Sequence, residues 1–169
     1  MKRIIYHWSG GCYSPNEIDR LHYHFLIDNN GVIFQGKFSP EDNENCLDGV
    51  YAAHTGGGNT GSIGVAFLGM FGFVSRLNAG RFPLAKVQCE AGFALGARLV
   101  KKYGLNLDNP LTIQTHYGFG QRNSKTASAG KIDIVYLPPY PNVQKGEVEE
   151  FIRNKVKWYF KNFYKKLEI

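Results

Sequence analysis

The groups in this chain that could do chemistry concentrate between His116 and Asp133. A histidine leads into a polar, Gly-rich run that ends in Lys131-Ile132-Asp133. Imidazole nitrogens and carboxylate oxygens are both good zinc ligands. A lysine two residues before the carboxylate puts an ammonium where it could hold a developing negative charge. His7, far upstream, is the histidine that could complete such a site. If the fold unites these residues, the chain reads as a zinc hydrolase. The five histidines are His7, His22, His24, His54 and His116, and they contain no His-Glu-x-x-His pair. Any metal site must therefore be assembled from distant segments. Taken singly, each reads as a hydrogen-bonded structural histidine. His7 and His116 stand out because each ends an apolar, strand-like run and precedes a Gly-rich or polar stretch. Strand ends are where α/β sheets build their sites.

The elements that must position these groups follow from the apolar pattern. Residues 2–8 read as a buried central strand ending near His7, and residues 12–19 as a polar loop or short helix. Residues 21–28 and 32–36 flank Asn29-Asn30-Gly31, a strong hairpin signal. On that first strand His22 and His24 alternate with Tyr23, which sends Tyr23 to the opposite face. Residues 38–48 read as a polar connection and residues 62–69 as another buried strand. Residues 84–103 predict a helix with Val87, Ala91, Ala94, Leu95, Leu99 and Tyr103 at helical spacing and Gly104 as its stop. Residues 111–115 read as a short strand delivering His116, and Pro138-Pro139-Tyr140-Pro141 as a stiff connector. Residues 147–167 predict a last helix, with Glu147, Glu149 and Glu150 in its first turn and a stripe of Val148, Phe151, Ile152, Val156, Tyr159 and Phe163. The expected fold class is α/β, a central mixed β-sheet flanked by helices. It forms one domain over residues 1–169, with a core over about 2–140 and a basic amphipathic C-terminal helix over about 146–167.

Bulk composition narrows the function. The chain has 169 residues, 43% hydrophobic and 20% charged, as expected of a globular protein. Its net charge is +6, and Arg153, Lys155, Lys157, Lys161, Lys165 and Lys166 fall in one segment with no acidic residue. The remainder nets to zero, so the basicity is local and not a nucleic-acid footprint. The preferred reading of that segment is a surface helix with its stripe on the core. Its Trp158, Tyr159, Phe160, Phe163 and Tyr164 would also suit contact with an anionic membrane or envelope polymer. Cys12, Cys46 and Cys89 are odd in number and form no metal motif, so at least one thiol is unpaired. No run suits a signal peptide or a membrane span. Synthesis in the cytoplasm is the expectation, and action on an outer target would then need release or export.

Several short motifs occur together in one order: Tyr6-His7-Trp8-Ser9, then His22-Tyr23-His24-Phe25-Leu26-Ile27, Ala53-His54-Thr55-Gly56 with Asn59, Ser62-Ile63-Gly64-Val65, Thr115-His116 and Lys131-Ile132-Asp133. Over roughly residues 2–135 this order resembles the zinc-dependent N-acetylmuramoyl-L-alanine amidases, a superfamily that includes phage lysozyme-type amidases and peptidoglycan recognition proteins. The resemblance implies Zn²⁺ held by His7 and His116 plus a third ligand, which is a cysteine in some branches and an aspartate in others. A Thr-x-Cys-Pro-Gly pattern would fall on Thr126-Ala127-Ser128-Ala129-Gly130, where Ser128 and Ala129 replace the cysteine and the proline. The Lys-x-Asp pattern of the other branch is intact, which makes Asp133 the third ligand and Lys131 the charge stabiliser. Tyr23 matches the tyrosine beside the zinc, and Ala66 stands where some relatives carry a glutamate. His54 and Asn59 match positions lining the peptide groove. The short interval between His7 and Tyr23 leaves little room for the helix that many relatives insert there, which would shorten one rim. The implied function is cleavage of the amide between N-acetylmuramic acid and L-alanine in peptidoglycan by a monomeric, cell-wall-lytic endolysin. The alternatives are a non-catalytic peptidoglycan receptor, which would lack a ligand, and an exported antibacterial amidase.

Overall fold

The computed structural model describes residues 1–164. Five strands form one sheet: β1 (Arg3–Trp8), β2 (Phe25–Ile27), β3 (Ile33–Gln35), β4 (Ser62–Phe67) and β5 (Ile113–Thr115), in the order β3-β2-β4-β1-β5. The central pairs β1/β4, β1/β5 and β2/β4 are parallel, and only the hairpin β2/β3 is antiparallel. Parallel strands need cover on both faces, which is why β1 and β4 carry almost unbroken buried runs. Four helices complete the α/β fold: α1 (Glu17–His22), α2 (Lys86–Tyr103), α3 (His116–Arg122) and α4 (Val148–Tyr164).

The two faces of β1 and β4 do different work. Tyr6, Val65 and Phe67 point into the main core with Phe93, Ile152 and Val156 of α2 and α4. Close approach is bought by glycine: a Cβ at Gly92 would collide with the Phe67 ring, and one at Gly96 with the Tyr6 hydroxyl. The Tyr6 hydroxyl donates to the Gly92 carbonyl at 2.9 Å, locking helix to sheet. On the opposite face lie His7 and its parallel partner Ala66, and one step back Gly64. That face is the floor of the candidate site.

Several expectations need correction. The loop or short helix expected over residues 12–19 contains a helix that runs on over Glu17–His22, so Leu21 and His22 end a helix and do not open a strand; Asn16 and Asp19 form a capping box around its first turn. There is accordingly room for a short helix between His7 and Tyr23. The segment after His116 is helix α3 and not a loop, with the Thr115 hydroxyl accepting from Gly118 N–H at 3.0 Å. Leu95 and Leu99 of the expected α2 stripe are buried and Ala91 and Tyr103 pack against the core, but Val87 is 56% exposed, and Gln88, Cys89, Gly92, Phe93 and Gly96 are buried beside them. Residues 165–167 of the anticipated last helix lie outside the described residues. No helix among the described residues is long and apolar enough to cross a membrane. Cys12, Cys46 and Cys89 are all free thiols.

Candidate active site

The ends of three elements meet above the Ala66 face of the sheet. β1 presents His7, the β5–α3 junction presents His116, and the loop after α3 returns with Asp133. One nitrogen or oxygen from each lies within 4.8 Å of the others, the one such metal-competent cluster among the described residues. His7 Nδ1 is 2.9 Å and His116 Nδ1 3.1 Å from the Asp133 carboxylate. All three residues are buried. The Tyr117 N–H donates to the Asp133 carbonyl at 2.6 Å, which ties the returning loop to α3.

Both imidazoles are engaged on their outer edges by protein acceptors. His116 Nε2 lies 3.0 Å from the Ser128 hydroxyl. His7 Nε2 lies 3.1 Å from His54 Nδ1 and 3.4 Å from the Thr55 hydroxyl. His54 Nε2 faces the Ser62 carbonyl at 3.4 Å and must donate to it, so its Nδ1 is left to accept. The His54 ring lies flat above Gly64, where any Cβ would overlap it. Burial pushes His7 down to about 4, against a weaker opposing pull from Asp133, so this imidazole is neutral at neutral pH. Burial, with His7 and His24 nearby, likewise holds His54 well below its ordinary value. Burial alone would raise Asp133, but the neighbouring His116 and His7 imidazoles hold it below the usual carboxylate value.

A cleft of ≈ 390 Å³ opens over this cluster, with Tyr23, Lys131 and Trp8 on its walls. The Tyr23 ring sits 5.1 Å from that of His7. Burial, then the charges of Asp133 and Asp19, push the Tyr23 phenol up, so it remains a proton-bearing donor. Lys131 is exposed at the mouth.

Two residues singled out in the sequence have other duties. His54 borders the cleft but is 5% exposed with both ring nitrogens bonded inside the protein, so it supports His7. The Asn59 side chain accepts from Thr55 N–H at 2.7 Å and does not line the cleft. Conversely, His22 lines the cleft beside Tyr23, their rings 6.3 Å apart, although strand alternation had separated them. The missed signal was the Asn16/Asp19 capping box, which turns residues 17–22 into a helix with His22 at its end.

The sequence profile of the N-acetylmuramoyl-L-alanine amidase family matches residues 1–133. No curated protein sequence matches the chain significantly. Among solved structures, the N-acetylmuramoyl-L-alanine amidase LysC from Clostridium intestinale URNW is similar with a TM-score of 0.56 at 18% identity, over 92% of this chain and 85% of that one. A variant of PlyL is similar with a TM-score of 0.50 at 18% identity, over 92% of this chain and 84% of that one. At such identities these likenesses speak for the fold. The profile match reaches from β1 through Asp133 and covers most of the sequence, and on that ground the chain belongs to the N-acetylmuramoyl-L-alanine amidase family.

Proposed function

We propose that this chain is a zinc-dependent hydrolase that cuts the amide between N-acetylmuramic acid and L-alanine in peptidoglycan. The observation that carries this reading is the convergence of two Nδ1 atoms and a carboxylate on one buried point, with both Nε2 atoms already bonded outward. A pair of neutral imidazoles with one carboxylate fits a zinc ion, leaves it net positive and leaves a coordination position free. His7, His116 and Asp133 would hold the ion. Bound there, zinc supplies a Lewis acid and an acidified water at neutral pH.

The chain's own groups supply the rest. As the scissile carbonyl becomes tetrahedral its oxygen gains negative charge, and the Lys131 ammonium at the cleft mouth is the cation available to hold it. Tyr23, kept protonated by its surroundings, donates a hydrogen bond to the same oxygen. A receptor lacking catalysis would be expected to have lost a ligand, whereas here the donor set is complete. The biological setting we infer is lysis of the cell wall after release or export, by a monomeric enzyme whose basic C-terminal helix assists at anionic envelope surfaces.

The test is digestion of purified peptidoglycan. Free N-terminal L-alanine without new reducing sugar ends, abolished by a chelator and restored by zinc, is the expected result. Activity indifferent to chelation, or new reducing ends in place of L-alanine, overturns the reading.

A further inference from the structure

The hydrogen bonds behind His116 decide its tautomer as well as its place. Ser128 is fully buried, with its hydroxyl oxygen 2.8 Å from the Gly56 carbonyl and 3.0 Å from His116 Nε2. A carbonyl oxygen only accepts, so the one hydroxyl proton of Ser128 points at Gly56. The Ser128 oxygen then offers only lone pairs to His116, and Nε2 must be the donor. A neutral imidazole carries a single N–H. Nδ1 therefore keeps its lone pair, on the side where Asp133 lies 3.1 Å away.

We propose that Ser128, backed by the Gly56 carbonyl, is a positioning residue that holds His116 as the Nε2–H tautomer, turns its Nδ1 lone pair to the cation site and so sets the affinity of that site. The proposal rests on the metal-centre reading above. It also changes what Ser128 means. By sequence it occupies the place of a ligand cysteine; in space it stands on the far edge of His116 from Nδ1 and supports a ligand.

The surroundings make this support rigid. The Gly56 carbonyl is presented by a loop docked without side chains on the 123–130 loop. A Cβ at Gly56 would come within 2.7 Å of the Ala127 Cβ, and one at Gly57 within 2.7 Å of the Thr126 Cβ. A Cβ at Gly120 would collide with the Ser128 carbonyl. Ser128 N–H in turn donates to the Thr126 hydroxyl at 3.3 Å. The same 54–56 segment supplies His54 and Thr55 behind His7, so one loop backs both imidazoles.

The experiment compares zinc and cobalt(II) affinity, by competition with a chromophoric chelator, in the unmodified chain, Ser128→Ala and Ser128→Thr. Losing an outer partner of a metal-ligating histidine typically weakens metal binding about 10–100-fold. Ser128→Ala is expected to bind one equivalent with a loss in that range, and Ser128→Thr, which keeps the hydroxyl, to recover most of it. Nitrogen-15 NMR of the zinc-bound unmodified chain is expected to find the His116 proton on Nε2, a result independent of how any variant folds. Ser128→Ala binding within about twofold of the unmodified chain, where a 10–100-fold loss is typical, overturns the proposal, as does an Nε2 without its proton. Failure of the unmodified chain to bind one equivalent overturns the metal-centre reading beneath it, a distinguishable outcome.

Discussion

Asp133 and Glu90 are two carboxylates that each gather a cluster from distant parts of the chain, and the clusters differ in kind. Glu90, on α2, accepts from Lys155 Nζ at 2.6 Å, Tyr140 hydroxyl at 2.7 Å and Tyr159 hydroxyl at 2.6 Å. An ammonium and two phenols always carry the protons a carboxylate needs, so this cluster is complete in protein atoms. It ties the proline-rich connector and α4 to α2. Asp133 faces two imidazole nitrogens, at 2.9 and 3.1 Å. The other nitrogen of each ring, Nε2, is already bonded outward, and burial pushes His7 down to about 4, away from a second proton. A carboxylate surrounded by lone pairs is completed by a cation. The polarity of the bonds, more than their number, separates the cluster that holds the fold from the cluster that would hold a ligand.

The largest effect that could break this comparison is at Asp133 itself. Asp133→Ala should weaken zinc by more than the about 100-fold that even an outer partner can cost, and abolish release of L-alanine. Normal zinc stoichiometry in that variant would sink the ligand assignment. Lys131→Met should lower kcat by roughly 10²–10³, as loss of one oxyanion donor does, with zinc content unchanged by metal analysis; a drop in zinc would move Lys131 out of its assigned role.

On the other side, Glu90→Gln should cost about 1.5–3 kcal/mol in urea unfolding, the range for hydrogen bonds to a charged group, and leave zinc binding and kcat alone. Metal loss in that variant would erase the distinction between the clusters. The smallest effect is a pH dependence to which His24, alongside the buried His7 and His54, and Glu90 contribute. Burial lowers His24 from 6.5 to about 4 in the folded chain. The unfolded chain then binds the extra proton between those values, and stability falls as pH drops from 6.5 towards 4. Burial opposes ionisation of Glu90, but Lys155, Tyr159 and Tyr140 outweigh it and hold its pKa below the ordinary 4.5, so its contribution is full above that value and fades at lower pH. His24→Asn should shrink the upper step and Glu90→Gln only the lower one, measured as unfolding free energy against pH; an unaltered upper step in the His24 variant would disprove its origin.

Much of the fold was legible because local pattern and tertiary environment agree. The unbroken apolar runs of β1 and β4, the Asn29-Asn30-Gly31 hairpin and the Gly104 stop of α2 all appear as read. Alternation of His22 and His24 with Tyr23 imitated a strand, while the Asn16/Asp19 box that makes residues 17–22 helical is a capping signal outside that pattern. Val87 matched a helical stripe, yet a helix pressed on a sheet and on α4 together has its exposed strip chosen by those neighbours, not by periodicity.

By itself the sequence determined the residue types able to bind zinc or hold charge, and the order of motifs that marks the family. Lys131-Ile132-Asp133, His7 and His116 were readable because ligand chemistry belongs to the side chain. Only the tertiary structure decided what each remaining polar residue does. Hydrogen bonding depends on distance and on which atom carries the proton, and neither is written in spacing along the chain. Asn59 left the cleft to cap its own loop, His54 went behind His7, and His22 came in beside Tyr23. Ser128, a lost ligand by alignment, came to stand where its hydroxyl meets the outer nitrogen of His116.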